Sequence, residues 1–189
     1  GGRLAEKTAI IVGAGQTPGE TIGNGRAMSV LFAREGANVM CVDRRLDSAE
    51  ETVKMIADEG GQAFAFEADV TQSIDCAAIA REAVVRLKRI DILVNNVGTG
   101  RGDAPPHAIE EEAWDRIMDI NLKSMAMTIR HVLPIMRGQK SGAILNISSL
   151  AAVASAGGLT AYKLAKAGVN ALTQNLAITN AKYGVRANA

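Results

Sequence analysis

A tyrosine and a lysine stand four residues apart near the end of the chain, in a pairing that could move a proton. Tyr162 and Lys166 lie at the start of a helical pattern, so their side chains share one helix face. An ammonium held beside a phenol favours the phenolate and lowers the phenol's pKa from about 10. Such a tyrosine could act as a general acid or base near neutral pH. The same spacing also occurs by chance on protein surfaces, so alone it is weak evidence for a site.

Two consecutive serines provide hydroxyl groups that could join this pair. Ser148 and Ser149 follow an apolar run that is typical of a buried strand. In open parallel sheets, ligands bind at the edge formed by the carboxyl ends of the strands. Either serine could therefore face a substrate.

A glycine-rich segment between the first apolar run and the next helical pattern indicates a phosphate-binding loop. Residues 13–25 read GAGQTPGETIGNG. Glycines let the backbone approach a pyrophosphate, whose charge is stabilised by the N–H groups at the start of the helix. Asp43 ends the second apolar run, 18 residues after Gly25, close to the offset of about 20 at which a carboxylate reaches the adenosine ribose. A carboxylate there repels a 2′-phosphate and predicts NAD in preference to NADP, although Arg44 and Arg45 could pair with a phosphate.

Continuous apolar runs alternate with amphipathic segments along the whole chain. Such runs indicate strands that are covered on both faces. The predicted strands are 8–12, 39–42, 63–66, 92–94, 143–147 and 185 onward, and the predicted helices are 26–35, 48–59, 74–88, 109–137 and 159–182. The alternation predicts an α/β fold, a doubly wound, Rossmann-like parallel sheet in a single domain over residues 1–189.

The composition narrows the functional classes. The chain has 189 residues, 48% of them hydrophobic and 22% charged, and a net charge of +1. It therefore has no excess of positive charge that would attract nucleic acid or an anionic membrane. No apolar stretch approaches the ~20 residues of a membrane span. Cys41 and Cys76 show no disulfide spacing, and no His/Cys/Asp cluster has the spacing of metal ligands. We expect a cytoplasmic protein with reduced thiols and no metal.

Several further motifs follow one another along the chain in an order that is typical of a known family. They are Ala68-Asp69-Val70 after the third strand, NNVG at 95–98, Asn121, and YKLAK at 162–166. Together with the glycine-rich loop, Asp43 and Ser148-Ser149, they make the chain resemble the short-chain dehydrogenase/reductase family along nearly its whole length. The catalytic serine of that family lies thirteen residues before the tyrosine, which favours Ser149 over Ser148.

The resemblance implies roles for the proton-handling residues. Tyr162 would exchange a proton with the substrate oxygen, and Lys166 would lower the pKa of Tyr162 and hold the nicotinamide ribose. Ser149 would donate a hydrogen bond to the substrate oxygen. Asn121 would help to place a water in a proton relay through Lys166.

The resemblance also implies contacts to the cofactor. Asp69 and Val70 would flank the adenine, Asn95 would steady the central sheet, and Gly98 would leave room for the cofactor.

The glycine-rich loop departs from the family pattern in length. If Gly13, Gly23 and Gly25 fill the three family positions, nine residues separate the first two glycines instead of the usual three. An alternative assignment to Gly13, Gly15 and Gly19 leaves Gly23 and Gly25 unexplained. We therefore assign Gly13, Gly23 and Gly25 to cofactor binding.

A second departure lies at the end of the chain, which stops inside the sixth predicted strand. The family continues with a turn that contacts the nicotinamide, a substrate loop and a last strand. We therefore expect these residues to be part of a longer polypeptide, with the domain incomplete at its C-terminus.

The resemblance, together with the predicted dinucleotide site, implies an oxidoreductase that transfers a hydride between NAD(H) and a small-molecule alcohol or ketone. By analogy with the family we expect a homo-oligomer, a dimer or tetramer, assembled through helices 109–137 and 159–182. A catalytically silent nucleotide-binding regulator is the alternative, and the complete set of Ser149, Tyr162, Lys166 and Asn121 argues against it. An isomerase or dehydratase is a third candidate, but such relatives usually have larger C-terminal substrate domains.

Overall fold

The computed structural model describes residues 2–17, 19–154 and 157–189. It contains six strands: β1 (Thr8–Val12), β2 (Asn38–Asp43), β3 (Gln62–Glu67), β4 (Ile92–Asn95), β5 (Gly142–Asn146) and β6 (Val185–Asn188). Its α-helices are α1 (Asn24–Arg34), α2 (Leu46–Asp58), α3 (Ser73–Leu87), α4 (Glu111–Met118), α5 (Ser124–Gln139) and α6 (Ala161–Asn180). Every predicted strand and helix has a counterpart, with bounds that differ by a few residues.

The strands form one parallel sheet in the order β3-β2-β1-β4-β5-β6. The order reverses between β1 and β4, which is the switch point where ligands bind in doubly wound folds. This topology confirms the predicted Rossmann-like α/β fold with a single domain.

Both faces of the sheet are buried, which explains why the strands read as continuous apolar runs. Along β1, Ile10 and Val12 point into a core that includes the buried faces of α3 and α5. Ala9 and Ile11 point into a second core, against α1 and α2. The alternation of side chains along one strand therefore divides the molecule into two helix layers.

The predicted helix 109–137 is interrupted at a point that no sequence pattern indicates. Helices α4 and α5 are joined by a π-helical turn, Asp119–Lys123. Such turns insert an extra residue into an α-helix and are frequent at functional sites. Asn121 lies in this turn and is fully buried.

Cys41 and Cys76 are both free and buried, and burial raises the pKa of the Cys41 thiol to about 12. None of the helices in the described part of the chain is long and apolar enough to cross a bilayer.

Candidate functional site

The predicted site residues meet at the carboxyl edge of the sheet. Gly13 follows β1, Asp43 ends β2, Asn95 ends β4, and Ser149 lies three residues after β5. Helix α6 begins at this edge and carries Tyr162 and Lys166 in its first two turns. Two shallow grooves, of about 300 and 470 Å³, lie at the opposite edge, beside the amino-terminal ends of β2 and β3.

Gly13 and Gly25 let helix α1 pack directly on the end of β1. Gly13 has a positive φ of 82°, which L side chains rarely adopt. A Cβ on Gly25 would overlap the carbonyl oxygen of Gly13, and the Asn96 side chain donates to the same oxygen at 3.1 Å. Gly23, which precedes α1, has room for a Cβ, since the nearest atom is Gln16 Cγ at 3.7 Å.

A third close-packed glycine, Gly15, was missing from the predicted set. Its N–H donates to Asp43 Oδ2 at 2.9 Å, and a Cβ there would lie 2.6 Å from Ser48 Oγ. Gly19, the other member of the alternative assignment, is loosely surrounded, with Thr17 O nearest at 3.9 Å. The signal for Gly15 was the GAG triplet directly after the first strand.

Helix α2 holds the glycine-rich loop through two buried hydroxyl groups that the sequence analysis also missed. Ser48 Oγ accepts from Gln16 N at 2.8 Å, and Thr52 Oγ1 donates to Ala14 O at 2.8 Å. The Arg26 guanidinium donates to Thr52 Oγ1 at 3.0 Å. The visible signal was a serine and a threonine four residues apart, shortly after Asp43.

Lys166 is almost completely buried beside Tyr162. Its side chain is 2% exposed, and its Nζ donates to Ile147 O at 2.8 Å and lies 5.7 Å from the centre of the Tyr162 ring. Burial disfavours the charged form and lowers the pKa of Lys166 to about 8. The lysine is therefore fixed at the end of β5, with its amino group directed toward the phenol ring.

Gly98 makes room for two of the predicted site residues. A Cβ there would lie 2.8 Å from Asn121 Oδ1 and 3.2 Å from Lys166 Nζ. Asn121 Oδ1 accepts from Thr99 N at 3.1 Å, and Asn121 Nδ2 donates to Thr99 O at 2.7 Å and Ile117 O at 2.8 Å. The amide of Asn121 therefore ties the π-helical turn to the loop after β4.

The two candidate serines point to different neighbours. Ser148 Oγ donates to Lys166 O at 3.4 Å, whereas Ser149 Oγ accepts from Ala151 N at 3.1 Å. The latter contact leaves the Ser149 hydroxyl hydrogen to be donated elsewhere. Lys163 Nζ donates to Ala151 O at 3.0 Å, so α6 also holds the turn that follows Ser149.

Asn95 begins a buried chain of hydrogen bonds that links the neighbouring strands β4 and β5 to α6. Its Nδ2 donates to Asn146 Oδ1 at 2.9 Å, and Asn146 Nδ2 donates to Thr173 Oγ1 at 3.0 Å. Asn95 and Asn146 are register partners on β4 and β5. Asn146 was not predicted, because its partner became evident only once the strand register was known.

Asp69 and Val70, the predicted adenine contacts, differ in exposure. Val70 is 7% exposed and contributes to the core. Asp69 is exposed, and its Oδ1 accepts from Thr71 N and Thr71 Oγ1 at 3.0 and 2.7 Å. Of this pair, Asp69 is the one that solvent or a ligand can reach.

The site fits a dinucleotide. Gly13 and Gly25 allow helix α1 to begin directly against the end of β1, which places the N–H groups of its first turn at the carboxyl edge of the sheet, and Asp43 provides a carboxylate at the end of the neighbouring strand. A family model described as short chain dehydrogenase matches residues 7–189. The chain belongs to the short-chain dehydrogenase/reductase family. It is an oxidoreductase of the class that transfers a hydride between NAD(P)(H) and an alcohol or ketone.

Relatives of this short-chain dehydrogenase/reductase resemble it over its whole length. The uncharacterized oxidoreductase YxbG of Bacillus subtilis is 35% identical, over 99% of this chain and 66% of that protein. The cis-4-hydroxycyclohexanecarboxylate dehydrogenase of Sinomonas cyclohexanicum is 34% identical, over 100% of this chain and 73% of that protein. The chain thus spans about two thirds to three quarters of these relatives.

Solved structures agree on the fold and differ in the cofactor. A protein described as a short-chain dehydrogenase/reductase from Burkholderia xenovorans superposes with a TM-score of 0.95 at 38% identity, over 100% of this chain and 74% of that chain. A 7α-hydroxysteroid dehydrogenase solved with NADH and 7-oxo glycochenodeoxycholic acid has a TM-score of 0.89 at 34% identity, over 97% of this chain and 69% of that chain. A metagenomic short-chain oxidoreductase solved with NADP also has a TM-score of 0.89, at 31% identity, over 97% of this chain and 80% of that chain.

Proposed function

We propose that this protein is an NAD-dependent alcohol dehydrogenase or ketone reductase in which Tyr162 exchanges a proton with the substrate oxygen. The observation that carries the proposal is the buried Lys166, held by Ile147 O with its Nζ 5.7 Å from the Tyr162 ring centre. Burying a lysine is unfavourable unless it is paired or functional. Here the lysine amino group lies near the phenol of Tyr162, a side chain on the same helix face that can donate or accept a proton.

NAD(H) supplies or accepts the hydride when it is bound. The residues that would hold its pyrophosphate are Gly13, Gly23 and Gly25, and Asp43 would bind the adenosine ribose. Asp69 and Val70 would border the adenine, with Asp69 the more accessible of the two. On the nicotinamide side, the contacts would come from Asn95, Gly98, Tyr162 and Lys166.

Tyr162, Ser149 and Asn121 have different roles in the proposed proton transfer. The Tyr162 hydroxyl donates its proton to a ketone oxygen in reduction and takes one from an alcohol in oxidation. The Ser149 hydroxyl donates a hydrogen bond to the same oxygen, consistent with its acceptor side being used by Ala151 N. Asn121 fixes the loop at Thr99 through its amide, so any water in a relay would lie between this loop and Lys166.

Replacing Tyr162 by Phe tests the proposal, because the ring stays and the exchangeable proton is lost. We expect turnover to fall by about 10²–10⁴-fold, with NAD binding retained in calorimetry. The assay panel begins with cyclic secondary alcohols and their ketones, since two relatives are named for such substrates.

The other tyrosine of the chain provides the matched control. Tyr183 lies after α6, stacked against Arg137, so Tyr183→Phe should keep wild-type turnover. Unchanged turnover in Tyr162→Phe would refute the assigned proton transfer.

The proposal extends to assembly and location. We infer a cytoplasmic homo-oligomer, a dimer or tetramer, built through helices α5 and α6, and residues 1–189 acting as one dinucleotide-binding and catalytic unit. Light scattering of the purified protein at the mass of a monomer would contradict the assembly.

A further inference from the structure

The first turn of helix α6 is capped by a residue from a distant loop. Threonine is a common helix N-cap, but Thr160 turns its hydroxyl away and donates it to Ala104 O at 2.6 Å. The Asp103 carboxylate accepts from the start of the helix instead, from Thr160 N and Ala161 N at 3.1 Å each and from Tyr162 N at 2.8 Å. The cap therefore comes from the loop between β4 and α4.

The charge of Asp103 suits this position. A carboxylate at a helix N-terminus interacts favourably with the helix dipole and with N–H groups that have no partner inside the helix. Burial works to raise the pKa of Asp103, but the four backbone N–H donors, which include Ala104 N, outweigh it and lower that pKa below its usual value. Asp103 is therefore ionised at neutral pH.

The same loop also passes close to the Tyr162 side chain. A Cβ built on Gly100 would lie 3.6 Å from the ring carbons of Tyr162, so the loop runs beside the ring while Asp103 holds the backbone. Lys166, one turn later, is anchored separately by Ile147 O. The relative position of phenol and amino group thus depends on two independent anchors, one for each residue.

We propose that Asp103 is a positioning residue for proton transfer, fixing the Tyr162 backbone so that its phenol stays in register with Lys166 and the substrate oxygen. The inference rests on the proposed role of Tyr162. Tyr162 is the second residue of the helix, where fraying begins when the cap is lost. Lys166 stays in place when that turn loosens, so the loss of Asp103 separates the pair.

Both oxygens of Asp103 are needed, which makes a near-isosteric test possible. Oδ1 accepts from Ala104, Thr160 and Ala161, whereas Oδ2 accepts from Tyr162. In Asp103→Asn one oxygen becomes an NH₂ group that faces an N–H donor. Asp103→Glu keeps two acceptor oxygens but moves them by one methylene.

The matched control is Asp91→Asn. Asp91 is a buried carboxylate at the opposite edge of the sheet, where it accepts from Thr8 N at 3.0 Å and pairs with Arg89 at 2.6 Å. Its loss should lower thermal stability at least as much as Asp103→Asn without reaching Tyr162. The comparison separates general destabilisation from misplacement of the phenol.

The experiment measures steady-state kinetics with NAD and the best substrate of the cyclic alcohol panel, together with amide hydrogen exchange at residues 160–162. We expect Asp103→Asn to lower kcat by about 10–100-fold, as misplacement of a catalytic group by about 1 Å does, with little change in KM for NAD. Exchange at residues 160–162 should accelerate, Asp91→Asn should keep its kcat, and Asp103→Glu should recover part of the loss. In a Tyr162→Phe background, Asp103→Asn should cause no further loss of residual turnover.

Wild-type kcat in Asp103→Asn would overturn the inference, and so would an equal kcat loss in Asp91→Asn or an undiminished effect in the Tyr162→Phe background. If Asp103→Asn does not fold, Asp103→Glu takes its place, and wild-type kcat and exchange in that variant overturn the inference. Failure of the proposed function is distinguishable, since it appears as full activity of Tyr162→Phe itself.

Discussion

The Asp43 carboxylate is fixed in place by the protein alone. Its Oδ2 accepts from Gly15 N and its Oδ1 from Arg45 N, at 2.9 and 3.1 Å. Carboxylate oxygens accept more than one hydrogen bond each, so ribose hydroxyls can still be bound. A 2′-phosphate would bring a second negative charge against a group that cannot move away, which is the physical basis of the proposed preference for NAD.

We therefore predict that Asp43→Asn changes the ratio of NAD to NADP affinity. We expect the wild-type protein to bind NAD more tightly than NADP in calorimetry, and the variant to reduce that ratio by about tenfold, since 1.4 kcal/mol corresponds to a factor of ten. Asp58→Asn removes a carboxylate at the far end of α2 that is 63% exposed and should leave the ratio unchanged. Tighter binding of NADP by the wild-type protein would show the assignment to be wrong.

At the scale of elements, the close contact between α1 and β1 depends on Gly25. An alanine there would place its Cβ on the Gly13 carbonyl oxygen, which belongs to the backbone and has no room to retreat. We expect Gly25→Ala to lower the free energy of unfolding by roughly 1–3 kcal/mol and to weaken NAD binding, because α1 must shift from the loop. Thermal melts and calorimetry measure the two effects.

The same substitution in another helix has the opposite expected sign. A Cβ on Gly138 of α5 would meet nothing within 4 Å among the described residues, so Gly138→Ala should raise stability by up to about 1 kcal/mol through helix propensity. Equal effects of the two substitutions would contradict the steric argument at Gly25.

The helices and strands were predictable because the sequence patterns that indicate them are local. The missed contacts join residues that lie far apart in the sequence. Apolar runs, helix periodicity and the glycine-rich segment 13–25 lie within short windows of sequence, so the six strands and the sheet edge that carries the site followed from them. The Asp103 cap joins residues 57–59 positions apart, and the Asn95–Asn146 pair joins residues 51 apart. No local pattern encodes such pairings. The π-helical turn at Asn121 likewise depends on contacts with the loop at Thr99.

At the scale of the whole molecule, single carboxylates hold distant segments together at both edges of the sheet. Asp103 ties the loop after β4 to α6 at the carboxyl edge. Asp91 ties the start of β4 to the start of β1 at the amino edge through Thr8 N. Both carboxylates therefore couple the fold to pH, one at the candidate site and one far from it.

The stability that Asp91 contributes should change with pH in a direction that can be measured. Burial works to raise the pKa of Asp91, but Arg89 and the Thr8 donors outweigh it and hold that pKa below its usual value. A carboxyl group with a lowered folded-state pKa contributes stability above its unfolded pKa of about 3.9, and loses that contribution as the pH falls through the folded value.

We therefore expect Asp91→Asn to be less stable than the wild-type protein by roughly 1–3 kcal/mol at pH 7, with the difference shrinking below about pH 4. Thermal melts recorded across this pH range give the difference directly. Asp58→Asn removes a carboxylate from an exposed pair with Lys54, whose side chains are 63% and 75% exposed, and it should change stability by less than about 1 kcal/mol at any pH. If the difference in stability between the wild-type protein and Asp91→Asn stayed constant below about pH 4, the charge of the Asp91 carboxylate would not be what stabilises the fold. Asp91 would then not make the stability of the protein depend on pH.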